Sequence, residues 1–500
     1  MRVVFLTTPF KFKISRASRW PEQTKSGTLY YPFWTAQAAG YCESQGNEIL
    51  LLDAIANGWG FETTIEKIDE FKPDLVVVDT SLPSIKSDAK FVDQLKEKCD
   101  TKVCMVGSYP SIYPEKVFEM SSSLDFIAFK EYDETIVELC NNNLKPEGVL
   151  GIIYSKDGKV VKNKDRPFLK DLDKIPFVSK IYKRFLNPAD YRYALARHPM
   201  IQIMSARGCP NMCVYCNVPQ TFMSRDFRMR SPKHFVDEME WINKNMPEIK
   251  EIFIEDDTMT VDKERMKEIC KLIMDRGLKI VWSCNVRADI PYDVLVMMKK
   301  AGCRMMIVGY ESGNQNILNN IKKGITLEMA EEFTKNAKKA GIKIFGCFMI
   351  GLPGDTRETI QETFEWAKKV NPDMAQIEQI VPFPGTEFYD WAKDKGYLLT
   401  DEPEEWLNET GQLNFIIDYP NLRRDEIAEL RDKLMVRFYL NPKQFLTMLK
   451  DNLHPSEMKR LSKASYDYLI YLLERKLSKK KSKKGSIKPG EVSQKSNERK

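Results

Sequence analysis

From the N-terminus to about residue 400, short apolar runs alternate with amphipathic stretches, and this alternation leaves few architectures open. Runs such as Leu75-Val76-Val77-Val78 are apolar at consecutive positions, as expected of parallel strands buried on both faces. The first ~145 residues give strands at Val3–Thr7, Glu48–Leu52, Asp74–Asp79, Lys102–Val106 and Asp125–Phe129. Helical stretches lie between them, the first at Phe33–Ser44. This predicts a five-stranded, doubly wound, Rossmann-like α/β domain over residues 1–145, a class that takes ligands at the carboxyl ends of its strands.

Residues 146–195 read as a hairpin and linker. Asp157-Gly158 is the expected turn, and Pro167, Pro176 and Pro188 follow. Alternation then resumes over residues 196–400, with strands at Met200–Met204, Glu251–Ile254, Ile280–Cys284, Arg304–Val308, Lys343–Ile350 and Met374–Val381. Six βα units predict an open (β/α)6 TIM-type barrel with its active site at the carboxyl ends of the strands. Residues 401–477 read as helical, from about Glu405 to Leu477, and 478–500 as a disordered basic tail.

The formal charge of +6 belongs to that tail. Arg475–Lys500 carries 11 basic and 2 acidic residues, and the rest of the chain 66 and 69. A near-neutral body argues against a nucleic-acid-binding face. No signal-peptide pattern or apolar stretch of spanning length appears, so a cytoplasmic location is expected. With 11 cysteines in such a chain, buried reduced thiols are expected rather than a disulfide framework.

Three of the cysteines are clustered. Arg207-Gly208-Cys209-Pro210-Asn211-Met212-Cys213-Val214-Tyr215-Cys216 directly follows the first barrel strand. Three thiolates can wrap one face of a [4Fe–4S] cube and leave one iron open. Zinc is the competing metal, but a structural zinc site calls for a fourth ligand, and no histidine or further cysteine lies close by.

The C-x3-C-x2-C spacing, with an aromatic before the last cysteine, resembles the signature of the radical S-adenosylmethionine (SAM) superfamily. Resemblance implies that Cys209, Cys213 and Cys216 hold the cluster and that the open iron chelates the amino and carboxylate groups of SAM. Reductive cleavage would then yield methionine and a 5′-deoxyadenosyl radical, with an external electron donor such as flavodoxin or ferredoxin. The strand ends supply candidate SAM contacts: Glu255-Asp256-Asp257 after strand two, Arg287 after strand three, and Glu311-Ser312 after strand four. Arg287 suits the SAM carboxylate as a bidentate partner. Glu311 and Ser312 suit the ribose hydroxyls or the amino group.

An α/β domain ahead of such a barrel resembles the cobalamin-binding arrangement of one branch of the superfamily, whose layout includes the hopanoid-associated and anaerobic magnesium-protoporphyrin ester cyclase proteins. The resemblance implies that Thr80, Ser81, Gly107 and Ser108 line the corrin and its nucleotide tail. Many cobalamin proteins ligate cobalt through the histidine of a D-x-H-x-x-G motif. Here the first histidine is His198, so no imidazole from the N-terminal domain can do so. The branch's G-E-x-E stretch after strand five appears as Lys130-Glu131-Tyr132-Asp133-Glu134, without its glycine.

Both cofactors together imply methyl transfer to an unactivated carbon. The alternative is radical C–H functionalisation or ring formation without net methyl transfer. A non-catalytic regulator fits poorly with six intact barrel units bearing polar strand ends. A methylthiotransferase fits poorly with the lack of a second cysteine trio. The substrate is a small molecule or a lipid. Pro455–Lys476 is amphipathic and rich in tyrosine, and with the polybasic tail it suggests peripheral contact with an anionic membrane and a lipid or isoprenoid-like substrate.

Overall fold

Residues 1–442 and 444 are described by the computed structural model. The apolar runs form the centres of two parallel sheets. In the first, strands β1 (Arg2–Thr7), β2 (Glu48–Asp53), β3 (Leu75–Asp79), β4 (Lys102–Val106) and β5 (Phe126–Ala128) lie in the order 2-1-3-4-5, all parallel. Val76, Val77 and Val78 are fully buried, as strands covered on both faces require. In this order the winding switches from one side of β1 to the other, which places a ligand crevice at the carboxyl ends of β1 and β3.

The hairpin forms where expected but extends the first sheet. Strands β6 (Ile152–Lys156) and β7 (Lys159–Lys162) add antiparallel to β5 and make seven strands in all. Asp157 and Gly158 both have positive φ, +52° and +73°, the geometry of a two-residue hairpin turn.

The second sheet holds β8 (Met200–Ile203), then, after a two-stranded ribbon of β9 (Ala206–Arg207) and β10 (Arg228–Met229), β11 (Glu251–Ile254), β12 (Trp282–Val286), β13 (Cys303–Glu311), β14 (Lys343–Ile350) and β15 (Met374–Gln379). Its six strands are parallel and pair in chain order, the open barrel wall expected. The third barrel strand starts two residues later than its apolar run suggests. Pairing with β11 begins at Trp282, whose N–H donates to Gly302 O at 3.2 Å. The fourth runs longer and carries Gly309, Tyr310 and Glu311 inside the strand.

The described part of the C-terminal region differs from a continuous helix. A single turn at Pro403–Trp406 is followed by irregular chain pinned by isolated bridges, such as Leu398 with Ile417, before the helix Arg424–Tyr439. Burial explains the change: Leu413, Phe415, Ile416 and Ile417 are all buried, so no polar helical face exists there. Pro455–Lys476 and the basic tail lie outside the described residues. Among those described, no helix is long and apolar enough to cross a membrane.

One segment has no counterpart in the strand and helix pattern. Residues 8–32, between β1 and the helix Phe33–Ser44, form a long strap. It is secured at Arg16, whose side chain is fully buried against the fully buried Asp88 at 2.7 Å. Asp88 also accepts from Thr80 Oγ1 at 2.5 Å, Ser84 Oγ at 2.7 Å and the Thr8 hydroxyl.

Candidate active site

The cysteine loop leaves the barrel at the carboxyl end of β8. Asp256, just past β11, holds its root: one carboxylate oxygen accepts from Ser205 N at 2.7 Å and Ala206 N at 3.1 Å, and the other from the Ser205 hydroxyl. Asp256 is fully buried and both its oxygens are occupied by Ser205 and Ala206, so it braces the loop. Gly208 turns the chain with φ +84°. A Cβ there would press into Asp226 O and stand 2.7 Å from Ser224 O. We expect Gly208→Ala to cost about 1–3 kcal/mol and to lower iron retention on reconstitution, read as iron bound per chain.

Cys209 and Cys213 are buried and Cys216 is half-buried. Gln220 clamps the loop by donating to the carbonyls of Cys213 (3.3 Å), Val214 (3.2 Å) and Cys216 (2.8 Å). Asn211 Nδ2 stands 3.2 Å from Cys209 Sγ. Burial, then Asp257 and the sister thiols, push the Cys216 thiol up, with Arg19 opposing. Among the described residues, no group of three His, Cys, Asp or Glu side chains closes on one ion.

Past the loop, the strand ends carry polar groups without partners. Glu311 ends β13 with φ +68°, a conformation rare outside glycine. Its Oε1 accepts from Lys323 Nζ at 2.7 Å, while Oε2 is buried without a partner. Burial alone would lower Lys323, but Glu311 outweighs it and raises the ammonium above its ordinary value. Thr258 and Thr260, in the turn after β11, also have buried hydroxyls without partners. Such groups are costly in a dry interior, so this edge fits a polar ligand of the SAM type. Ser312 Oγ lies 3.0 Å from Thr363 Oγ1 and accepts from Asn314 N at 3.1 Å. Arg287 Nη2 donates to Lys323 O at 2.6 Å, which turns the guanidinium toward the Glu311 side of the barrel.

Glu255 is held from an unexpected direction. Arg19 of the strap reaches its Oε1 at 2.5 Å and Asp257 at 2.9 Å, and Gln202 of β8 donates to its Oε2 at 3.2 Å. Burial raises the Glu255 carboxyl to about 7 although Arg19 opposes the rise. Glu255 thus docks the strap onto the barrel. Nothing in the sequence pattern pointed to Arg19, which lies 236 positions from its partner.

At the carboxyl edge of the first sheet, Thr80 is committed to Asp88, and Ser81 Oγ lies 2.9 Å from Ser84 Oγ. Both hydroxyls therefore already have partners within the protein. Gly107 (φ +126°) lacks a Cβ because Thr80 O fills that space. Ser108 opens a short helix and is half-exposed. The unsatisfied atoms are others: Thr7 Oγ1 and Asp79 Oδ2 at the ends of β1 and β3, and Tyr132 OH after β5, all buried without partners. They fit a polar, cofactor-sized ligand at the crevice where the strand order reverses, as cobalamin requires.

Burial pushes the Asp79 carboxyl up to about 7, with Arg16 opposing and Asp88 and Asp53 adding to the rise. Its folded value lies above its unfolded one, so its contribution is complete below about pH 4 and declines as pH climbs toward 7. Asp79→Asn should therefore be more stable than the parent at pH 8, by on the order of 2–4 kcal/mol, and little changed at pH 4. Thermal melts at both values check this.

The two edges are joined by buried ion pairs. Arg207, the residue before Gly208, meets Asp133 at 2.7 and 3.0 Å and donates to Gln37 at 2.7 Å. Arg228 of β10 forks onto Glu131 with two contacts of 2.7 Å. Both acids come from the stretch after β5 that lacks the branch's glycine. Lys130, at the place of that glycine, adopts φ +62°, a left-handed conformation that costs a non-glycine residue about 1–2 kcal/mol.

With this geometry in view, the comparisons agree with one another. Residues 203–367 match the radical SAM superfamily model and residues 23–140 the B12 binding domain model. An uncharacterized methyltransferase of Pyrococcus horikoshii is 30% identical over 457 residues, which cover 90% of this chain and 94% of that protein. The anaerobic magnesium-protoporphyrin IX monomethyl ester cyclase of Rubrivivax gelatinosus is 28% identical over 470 residues, covering 89% and 78%. Among solved structures, the radical S-adenosylmethionine methyltransferase TsrM of Kitasatospora setae, with tryptophan and a SAM analogue bound, shares the fold. Its TM-score is 0.68 at 15% identity, with 89% of this chain and 90% of that chain covered. The chain belongs to the cobalamin-dependent radical SAM methyltransferase family, and as an enzyme of that family it works with a [4Fe–4S] cluster, SAM and cobalamin.

Proposed function

We propose that this enzyme transfers a methyl group to a carbon bearing no acidic proton. The supporting observation is the pair of buried contacts, Arg207 with Asp133 and Arg228 with Glu131, that sets the cysteine loop against the carboxyl edge of the first sheet. Bound there, the cluster and SAM supply a radical able to remove hydrogen from an unreactive C–H bond, and cobalamin supplies the methyl group.

In this reading, Cys209, Cys213 and Cys216 hold the cluster. Glu311 Oε2 accepts from the amino group of SAM, and Arg287 binds its carboxylate with the N–H groups not turned to Lys323. Ser312 supports Glu311 by fixing the turn after β13. Thr7, Asp79 and Tyr132 bind the polar rim and tail of the corrin, with Ser108 and the backbone of Thr80, Ser81 and Gly107 shaping the crevice. Glu255 and Asp256 act as positioning residues: one docks the strap through Arg19, the other braces the loop. The strap closes this side of the barrel and limits entry of water.

The substrate in this reading is a lipid or other isoprenoid-like molecule, supported by the amphipathic Pro455–Lys476 segment and basic tail. Cosedimentation with anionic liposomes tests that part, and equal binding of the tail-deleted protein removes its basis. Methyl-labelled SAM, supplied to the reduced enzyme with candidate lipids, tests the reaction. Label in the product carries the proposal. 5′-Deoxyadenosine without transferred label points instead to C–H functionalisation or ring formation, a reading favoured by the relatedness to a cyclase.

A further inference from the structure

Where the N-terminal domain meets the root of the cysteine loop, two buried nitrogen donors have no partner within the protein. Gln37, on the helix Phe33–Ser44, is 6% exposed, and Arg207, which leads into the loop, is 2% exposed. Arg207 gives Nη1 and Nη2 to Asp133, and Nη2 also donates to Gln37 Oε1, which leaves the Nε–H unpaired. Gln37 Nε2 is unpaired as well. Turning the amide over would not help, because its NH2 would then face the Nη2 donor. Both residues line a cavity of about 20 Å³, whose wall also includes Arg230, Ile175, Val178 and Met204. A space of that size holds a single monatomic guest or one water.

The wall chooses between the two. Its side chains offer unpaired N–H groups and hydrocarbon, so a guest must accept and has nothing to donate to. A water could accept from both donors, but the one side-chain oxygen on the wall is Gln37 Oε1, already taken by Arg207. Charge points the same way. Two guanidiniums, those of Arg207 and Arg230, stand on the wall, while the carboxylates that pair with them, Asp133 and Glu238, lie outside it. We infer that this cavity binds one monatomic anion of the halide class, chloride under ordinary conditions, held by Gln37 Nε2 and Arg207 Nε. Bound there, the anion satisfies both donors and completes the contacts of the residue that ties the cysteine loop to the N-terminal domain.

Crystals of the reconstituted enzyme soaked in sodium bromide test this directly, with an anomalous peak expected between Gln37 Nε2 and Arg207 Nε. In solution, the melting temperature should rise and then level off as chloride replaces gluconate at constant ionic strength, because the folded chain alone binds the ion. Gln37→Glu keeps one oxygen on Nη2 and brings a second to the Arg207 Nε–H, so the side chain itself supplies the negative charge. That variant should show neither the bromide peak nor the chloride response. Gln37→Met, which lacks the amide donor, should lose the response too. No anomalous signal in the parent's cavity, whether it holds water or nothing, overturns the inference. So does a chloride effect that never levels off, or one of equal size in the parent and both variants, since either is a general effect of salt. The bromide result needs only the parent, so it stands even where a variant fails to fold.

Discussion

Cys213→Ala, like Cys209→Ala and Cys216→Ala, is expected to abolish iron–sulfur absorbance and to reduce 5′-deoxyadenosine formation to the no-enzyme background. A cube held by three thiolates has no spare ligand, because its fourth iron is the one left open. The fold should survive. Gln220 grips backbone carbonyls of this loop, and Asp256 braces its root through Ser205 and Ala206, so no thiol is needed for either contact. Circular dichroism and melting of each variant should therefore stay close to the parent, while iron analysis shows the loss. A variant that keeps its full iron content would remove that cysteine from the ligand set.

The largest stability effect is expected at Asp88. Asp88→Ala leaves the Arg16 guanidinium buried without its carboxylate partner, and Thr80, Ser84 and Thr8 lose an acceptor at the same time. Breaking a buried pair in this way costs about 3–5 kcal/mol. The loss should show as a lower melting temperature of the N-terminal domain. A second consequence follows from the chain path. Arg16 secures the strap that carries Arg19 to Glu255 and Asp257, so Asp88→Ala should also expose that barrel edge, seen as faster amide exchange over residues 8–32. Replacing Arg16 and Asp88 together with apolar residues should recover much of the stability, because no buried charge is then left unpaired.

Both sheets were legible in the sequence because each strand announces itself locally. A run such as Val76-Val77-Val78 can be satisfied only between two covered faces. The turn at Asp157-Gly158 was legible for the same reason, since two consecutive positive φ values select those residues. The cysteine trio was legible from spacing alone. What stayed hidden depends on contacts between distant residues. The strap has no period, and its function rests on Arg16 and Arg19, whose partners lie 72 and 236 positions away. Which groups at the first sheet already have partners was hidden for a related reason. Thr80 and Ser81 occupy the expected places after β3, yet a helix residue, Asp88, and a neighbour, Ser84, take up their hydroxyls. Thr7, Asp79 and Tyr132 are left without partners instead, and only the packed structure separates a bound polar group from an orphaned one. Lys130, where the branch's glycine is missing, shows the converse: a left-handed residue that the lysine side chain gives no reason to expect.

The central claim is that one chain holds a cysteine-ligated cluster and cobalamin together and uses them on SAM. It is tested most directly by anaerobic reconstitution with iron, sulfide and hydroxocobalamin, followed by gel filtration and single-turnover reduction with SAM. The account predicts stoichiometric cluster and corrin on the same protein peak and a burst of 5′-deoxyadenosine, with cluster and burst lost and corrin kept in the variant lacking all three cysteines. Loss of corrin on filtration, or a burst undiminished without the cysteines, would contradict it.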